Sequence, residues 1–208
     1  WSVDTGTATA DSGTLSINAN GTNSVSVTAT DAATNTATVT QTLTIDTTDP
    51  AVAITSSALT KDTTPTVSGT AEAAASITAV IAGATYTTTA TGGGAWSVDT
   101  GTADADSGTL SINANGNNSV SVTATDSNNN TSSAVTQTLV VDTTAPAVAI
   151  TSSATGNDST PTVSGTAEAN ASITAVIAGA TYTTTATGGG AWSVDTGTAT
   201  ADSGTLSI

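Results

Sequence analysis

The feature that constrains this chain most is that it repeats itself. The run WSVDTGTADADSGTLSINANG, starting at Trp96, occurs almost verbatim from Trp1 and again from Trp192, at spacings of 95 and 96 residues. The extra residue falls where DSNNNTSSAVTQ stands in place of DAATNTATVTQ, so one loop absorbs the length change. A period of this size means one structural module per copy, stacked in tandem. The module boundary lies away from Trp. IDTTDPAVAIT from Ile45 and VDTTAPAVAIT from Val141 each join two strand-like runs through a polar hinge carrying Pro50 or Pro146. Proline fixes φ and lacks a backbone donor, so it opens a strand or sits in a linker. The expected organisation is the C-terminal half of a module over 1–46, a complete module over 47–142 and the N-terminal two-thirds of a third over 143–208. A window that opens and closes in mid-pattern is expected to belong to a longer chain.

Inside the complete module, apolar residues alternate with Thr and Ser between turn signals, a period of two. Strands are expected at Ala51–Thr55, Pro65–Ala71, Ser76–Ala82, Thr85–Thr91, Ala95–Asp99, Thr109–Ala114, Ser119–Thr125 and Val135–Asp142. Their inward positions would be Val52, Ile54, Val67, Ile77, Ile81, Tyr86, Trp96, Val98, Leu110, Ile112, Val120, Val122, Leu139 and Val141. Gly92-Gly93-Gly94 and Asn115-Gly116 read as hairpins or bends. No segment carries a helical period. Seven or eight short strands in one repeat imply an all-β fold, a tandem array of immunoglobulin-like two-sheet sandwiches. Trp96 and Tyr86 read as core fillers in a chain without Phe.

Composition narrows function by exclusion. Sixteen acids face a single base, Lys61, for a net charge of -15. No basic patch exists to neutralise phosphates, so neither nucleic acid nor direct membrane contact is expected. Cys, His and Met are absent as well, which removes thiol nucleophiles, imidazole bases and the usual zinc and haem ligand sets. Paired carboxylates could serve a glycosidase, but the few aromatics are assigned to the core and line no cleft. An enzyme is not expected.

Function must then lie in the carboxylates or in the architecture. Asp46 and Asp142 close the last strand of a module, and Asp49 sits in the first linker, where the second has Ala145. Glu72 and Glu168 follow the second strand, while Asp31 and Asp126 end the penultimate one. In a sandwich of this type the loop after the second strand and the loop before the last share the end where the chain enters. Topology would therefore gather Glu72, Asp126, Asp46 and Asp49 at one junction. Two carboxylates 4 Å apart repel by about 4 kcal/mol at an effective dielectric near 20. A divalent cation is the natural neutraliser, and Ca²⁺, which takes 6–8 oxygens in irregular geometry, suits such a set better than Mg²⁺. Asp62, Asp99, Asp104 and Asp106 read first as turn formers.

The motifs DTTAPAVAIT, STPTVSGTAEA, GGGAWSVD and NSVSVTATD together resemble the bacterial Ig-like repeats of giant RTX-type and biofilm adhesins, and the resemblance covers the whole chain. In that family the turn after VTATD commonly reads D-x-x-G-N; here Thr34 and Asn129 take the glycine position. The resemblance implies an extender region, outside the cell, that holds an adhesive or anchoring domain at a distance. It also implies Ca²⁺ at the junctions, carried over to Asp31, Asp46, Glu72, Asp126, Asp142 and Glu168. The expected partners are the neighbouring repeats of the same chain. The alternative is a self-assembling extracellular filament in which identical subunits exchange strands. Thr-rich faces such as Thr85-Thr87-Thr89 raise direct binding of carbohydrate or ice, although exposed Thr is ordinary strand chemistry.

Overall fold

A computed structural model describes residues 2–207; Trp1, which opens the first copy of the repeat, and Ile208 lie outside the described residues. The described residues form strands, turns and irregular segments, with no helix among them. Two compact units divide the chain, Trp1–Thr143 and Thr144–Ile208.

The first unit opens with β1 (Gly21–Thr30) and β2 (Thr36–Ile45), antiparallel in the register Gly21↔Ile45 through Thr30↔Thr36. A sandwich follows. Its strands are β3 (Val52–Ile54), β4 (Leu59–Thr60), β5 (Thr66–Ala71), β6 (Ser76–Ile81), β7 (Ala84–Thr89), β8 (Ala95–Asp99), β9 (Ser107–Gly108), β10 (Asn115–Thr125) and β11 (Val135–Asp142). They form a sheet in the order β3-β5-β8 and a sheet in the order β4-β11-β10-β6-β7-β9. The chain crosses between sheets after β3, β4, β5, β7 and β8, which makes this an immunoglobulin-like β-sandwich. The only parallel pair among the described residues is β4 with β11.

Alternation explains the core. Val67, Ile77, Ile81, Tyr86, Trp96, Val98, Val120, Val122, Leu139 and Val141 are all buried, as their positions in the period-two pattern require. Alanines complete the packing at Ala75, Ala79, Ala84, Ala90 and Ala124. Val52, Ile54, Leu110 and Ile112 are partly buried against this cluster.

Three features differ from the sequence expectation. Thr109–Ala114 forms no ladder strand: Leu110 and Ile112 still point to the core, but the segment is held by isolated bonds such as Ser111 N–H to the Ala82 carbonyl, 3.0 Å. Asn115-Gly116 opens β10, paired with Asp142 and Val141, rather than forming a hairpin tip. The tight hairpin lies instead at Ala82-Gly83 between β6 and β7, with φ of +44° and +91°. A two-residue turn with both central φ positive is usually Asn-Gly, so Ala82 hides it.

The second unit repeats part of this plan. Its strands are β12 (Val148–Ile150), β13 (Thr162–Ala167), β14 (Ser172–Ile177), β15 (Ala180–Thr185) and β16 (Ala191–Asp195), in the orders β12-β13-β16 and β14-β15. The registers match those of β3-β5-β8 and β6-β7 pair for pair. Trp192, Ile173 and Ala186 form one buried cluster and Ala180, Tyr182 and Val194 another.

The copies also differ where the backbone is strained. Ala74 and Asn170 occupy equivalent turns at φ of +62°. Asparagine visits the left-handed region far more readily than alanine. Ala74→Asn is therefore expected to stabilise the 52–142 sandwich by about 1 kcal/mol, read as a higher urea midpoint at unchanged slope.

Candidate functional site

The penultimate strands β1 and β10 end in the same loop. The carboxylate of Asp126 accepts from the N–H of Asn128 (2.8 Å) and of Asn130 (2.8 Å) through Oδ1, and from Asn130 Nδ2 (2.8 Å) through Oδ2. Asp31 does the same with Ala33 N–H (2.9 Å), Asn35 N–H (2.8 Å) and Asn35 Nδ2 (2.8 Å). An aspartate that gathers the N–H groups of its own turn is the expected use of this side chain in a loop. The fourth residue is forced into the left-handed region, at +69° for Thr34 and +68° for Asn129. This is the glycine position of the family motif, and Asn129 fits it better than the β-branched Thr34.

The two loops differ in what lies against them. Asp126 is buried and Asp31 exposed. Across the loop of Asp126 runs the linker that leaves β2: Asn130 Nδ2 donates to the Asp46 carbonyl at 3.1 Å, and Asn128 Nδ2 to the Asp46 carboxylate at 3.2 Å. The other Asp46 oxygen accepts from Thr48 N–H at 3.0 Å. The amide groups of Asn128 and Asn130 thus stand among three oxygens, two from Asp46 and one from Asp126.

Further linker contacts come from asparagines. Asn20 Oδ1 accepts from Thr47 N–H (2.7 Å), the Thr47 hydroxyl (3.0 Å) and the Thr48 hydroxyl (3.1 Å). Asn115 repeats the arrangement with Thr143 N–H (2.9 Å) and the Thr143 hydroxyl (3.0 Å). The residue after each module's last Asp is therefore tied back to that module. The sequence signal was present, since Asn-Gly recurs at both places, but it read as turn chemistry.

The remaining candidates are placed as follows. Glu72 is exposed at the end of β5, its N–H bonded to the Ala51 carbonyl at 3.1 Å just beyond Pro50. Asp49 is exposed in the linker itself. Asp142, exposed, is the last residue of β11, while Glu168, exposed after β13, belongs to the second unit. Among the described residues no three acids come close enough together to hold a metal by themselves. Asp46 and Asp126 meet at Asn130. Asp62 and Asp99 cap their own turns, through Thr64 N–H (2.8 Å) and Gly101 N–H (3.0 Å).

The Asn130 amide, followed by the loop N–H groups, holds the Asp126 carboxyl below the usual carboxylate range, and Asn35 does the same for Asp31. A carboxyl whose pKa is depressed by folding stabilises the fold above its unfolded pKa and loses that contribution as pH falls through the folded value. The melting temperature is therefore expected to hold from neutral pH to about 5 and to fall below about pH 4. Asp126→Asn, followed by circular dichroism across the same range, should make that decline shallower.

No protein-family model matches the chain, and no curated protein matches it. Solved structures do. A tetra-tandem repeat from the extending region of a large adhesion protein shares 22 % identity over 85 % of this chain and 48 % of that one, at a TM-score of 0.36. A structure bearing on host cell surface retention of a 1.5-MDa bacterial ice-binding adhesin shares 28 % over 83 % and 62 %, at 0.37. A Ca²⁺-stabilized adhesin that helps an Antarctic bacterium reach out and bind ice shares 27 % over 84 % and 48 %, at 0.31. This chain spans about half to three-fifths of their lengths. Scores this low align no individual residue of this chain.

Proposed function

We propose that this chain is an extender segment, a stalk, of a long bacterial cell-surface adhesin, and that Ca²⁺ stiffens its module junctions. The observation that carries the reading is the pinned linker at Asp46. A flexible spacer has no use for a joint in which a loop 82 and 84 residues downstream grips the linker's aspartate and an asparagine grips the next threonine. A rod does, because stiffness along an array resides in its joints. Near-identical repeats, no cleft chemistry and a strongly acidic surface with one base support the same role.

The donor set fits a hard cation. Asn130 and Asn128 now supply protons to oxygens of Asp46 and Asp126; with their amides turned over, the same side chains would present oxygens instead. Asp46, Asp126, Asn128 and Asn130 would then hold the ion, with Asp49 in the linker and Glu72, whose N–H is bonded to the Ala51 carbonyl just beyond Pro50, as further carboxylates. By its carry-over from the family, the same role falls to Asp31, Asp142 and Glu168 at their own junctions. Bound Ca²⁺ would neutralise these acids and tie linker to loop. Affinities of about 10⁻⁴–10⁻³ M would suit extracellular calcium.

Titrating the chain with Ca²⁺, with Mg²⁺ as control, tests this. Calcium is expected to raise the melting temperature and to narrow the spread of sizes in small-angle scattering. If neither moves, the cation drops out and only a β-rich spacer remains.

A further inference from the structure

In the complete module, 52–142, a strand near the entry lies beside the strand that leaves. β4 follows β3 at the start of the module and β11 ends it, and the two run parallel in the register Leu59↔Val140 and Thr60↔Val141. The module's other strand pairs are antiparallel. Both linkers, at Pro50 and at Thr143, lie inside the chain, so this pairing is that of a whole module.

The direction of a parallel pair decides how it meets tension. A pull entering through the first linker draws β4 backwards along its own axis, while a pull leaving through the second draws β11 forwards. The two strands are dragged in opposite directions along one line, so their evenly spaced bonds are sheared together. Strands pulled apart from a shared end open one bond at a time.

Residues 56–60 are tied to both sheets. The Val140 N–H donates to the Ala58 carbonyl at 2.8 Å, and Gln137 Nε2 donates to the Ser56 carbonyl at 3.1 Å. Ser56 is also hooked to β5 in the other sheet: its N–H donates to the Ser68 carbonyl at 3.1 Å, and its Oγ accepts from the Ser68 N–H at 3.2 Å. Ser152 and Ser164 repeat that hook at 3.1 and 3.2 Å. Detaching the short β3, paired only over Val52–Ile54, therefore leaves 56–60 bound to β5 and β11. Gln137 is an odd choice for folding alone. It is half-buried on β11, and its Oε1 is buried without a hydrogen bond among the described residues. An apolar side chain of similar size would leave nothing unpaired there.

We infer that the β4–β11 pair, with Gln137 as its strut, is a mechanical clamp that sets how long the module withstands tension passed from one linker to the other. The inference rests on the stalk reading, in which neighbouring modules pull on each other, and adds to it the place where each one resists. The cation has no part in it. Forced unfolding is governed by the unfolding rate and not by equilibrium stability, so the two are expected to separate here.

The chain has no cysteine, so a pair of introduced thiols chooses the points of pull in the full chain. Ala51→Cys with Ala145→Cys, both exposed beside the module's ends, loads the module end to end. Lys61→Cys with Ala145→Cys takes hold of β4 and β11 at the same end, where Thr60 pairs with Val141. At one constant force in optical tweezers, the end-to-end pair is expected to survive many-fold longer. Gln137→Met, pulled end to end, should shorten that lifetime about fivefold, the factor that one hydrogen bond's net contribution corresponds to, with the urea midpoint unmoved. Equal lifetimes in the two pulling geometries overturn the clamp. An unchanged lifetime in Gln137→Met, or a urea midpoint that falls in step with it, overturns the strut. The stalk reading has its own test in the calcium titration and survives either result.

Discussion

Replacing Gly69 with alanine is expected to destabilise the 52–142 sandwich by about 3 kcal/mol or more, the upper range for overpacking a closed core. Gly69 faces Trp96 across the β5–β8 pair and Ile54 across the β3–β5 pair. A Cβ there would run into the Ala53 carbonyl, and would lie 2.7 and 2.8 Å from two atoms of the Trp96 indole. Neither neighbour can give way. The carbonyl belongs to a strand held in register, and the indole is 4 % exposed within the core. Glycine in a strand interior is normally a weakness; here it admits the one large aromatic the core depends on. Gly165 beneath Trp192 meets the same obstacles. Gly92, whose Cβ would have nothing within 4 Å, is the control: Gly92→Ala should shift the urea midpoint little. Equal losses at both positions would show that the Trp96–Gly69 contact is not what the core requires.

The second large effect is expected at Asn118, where alanine should cost about 2–3 kcal/mol, since truncation strands several backbone partners at once. The side chain is 5 % exposed. Its Oδ1 accepts from Asn113 N–H at 2.7 Å, and its Nδ2 donates to the carbonyls of Asn113 (3.1 Å), Gly116 (3.1 Å) and Leu139 (3.4 Å). One amide thereby does the work of a missing ladder between 109–114 and β10. Asn23 makes the equivalent bonds to Asn18, Gly21 and Leu43. Asn118→Asp is the sharper variant, because a carboxylate keeps the acceptor but turns its second oxygen against those carbonyls. It should be at least as damaging as alanine. A neutral Asn118→Asp would contradict the assignment of Nδ2 as donor.

These two positions mark what the sequence could and could not express. The core was legible because period-two alternation reports directly which side chains face inward, and Val67 through Val141 fell where the pattern put them. Leu110 and Ile112 obeyed the same alternation without a strand, because alternation reports side-chain direction and not pairing. The two-residue strands β4 and β9 were invisible, being fixed by their partners β11 and β7 and not by propensity. At the joint, the acids stood out by type, and topology was enough to bring Asp46 beside the loop of Asp126. The amides that join them were missed. Asn128 and Asn130 read as turn residues, and their contacts to Asp46 span more than 80 positions, beyond any local pattern.

The joint after β2, as proposed above, would act as a cation-responsive lock. Spin labels attached at Thr38→Cys on β2 and Thr88→Cys on β7 would report the distance across it in a chain with no other thiol. With about 1 mM Ca²⁺ the pulsed dipolar distance distribution is expected to be narrow, to broaden in chelator, and to stay broad in Asp46→Ala with calcium present. A distribution of the same width with calcium and with chelator would rule out a calcium lock at this joint.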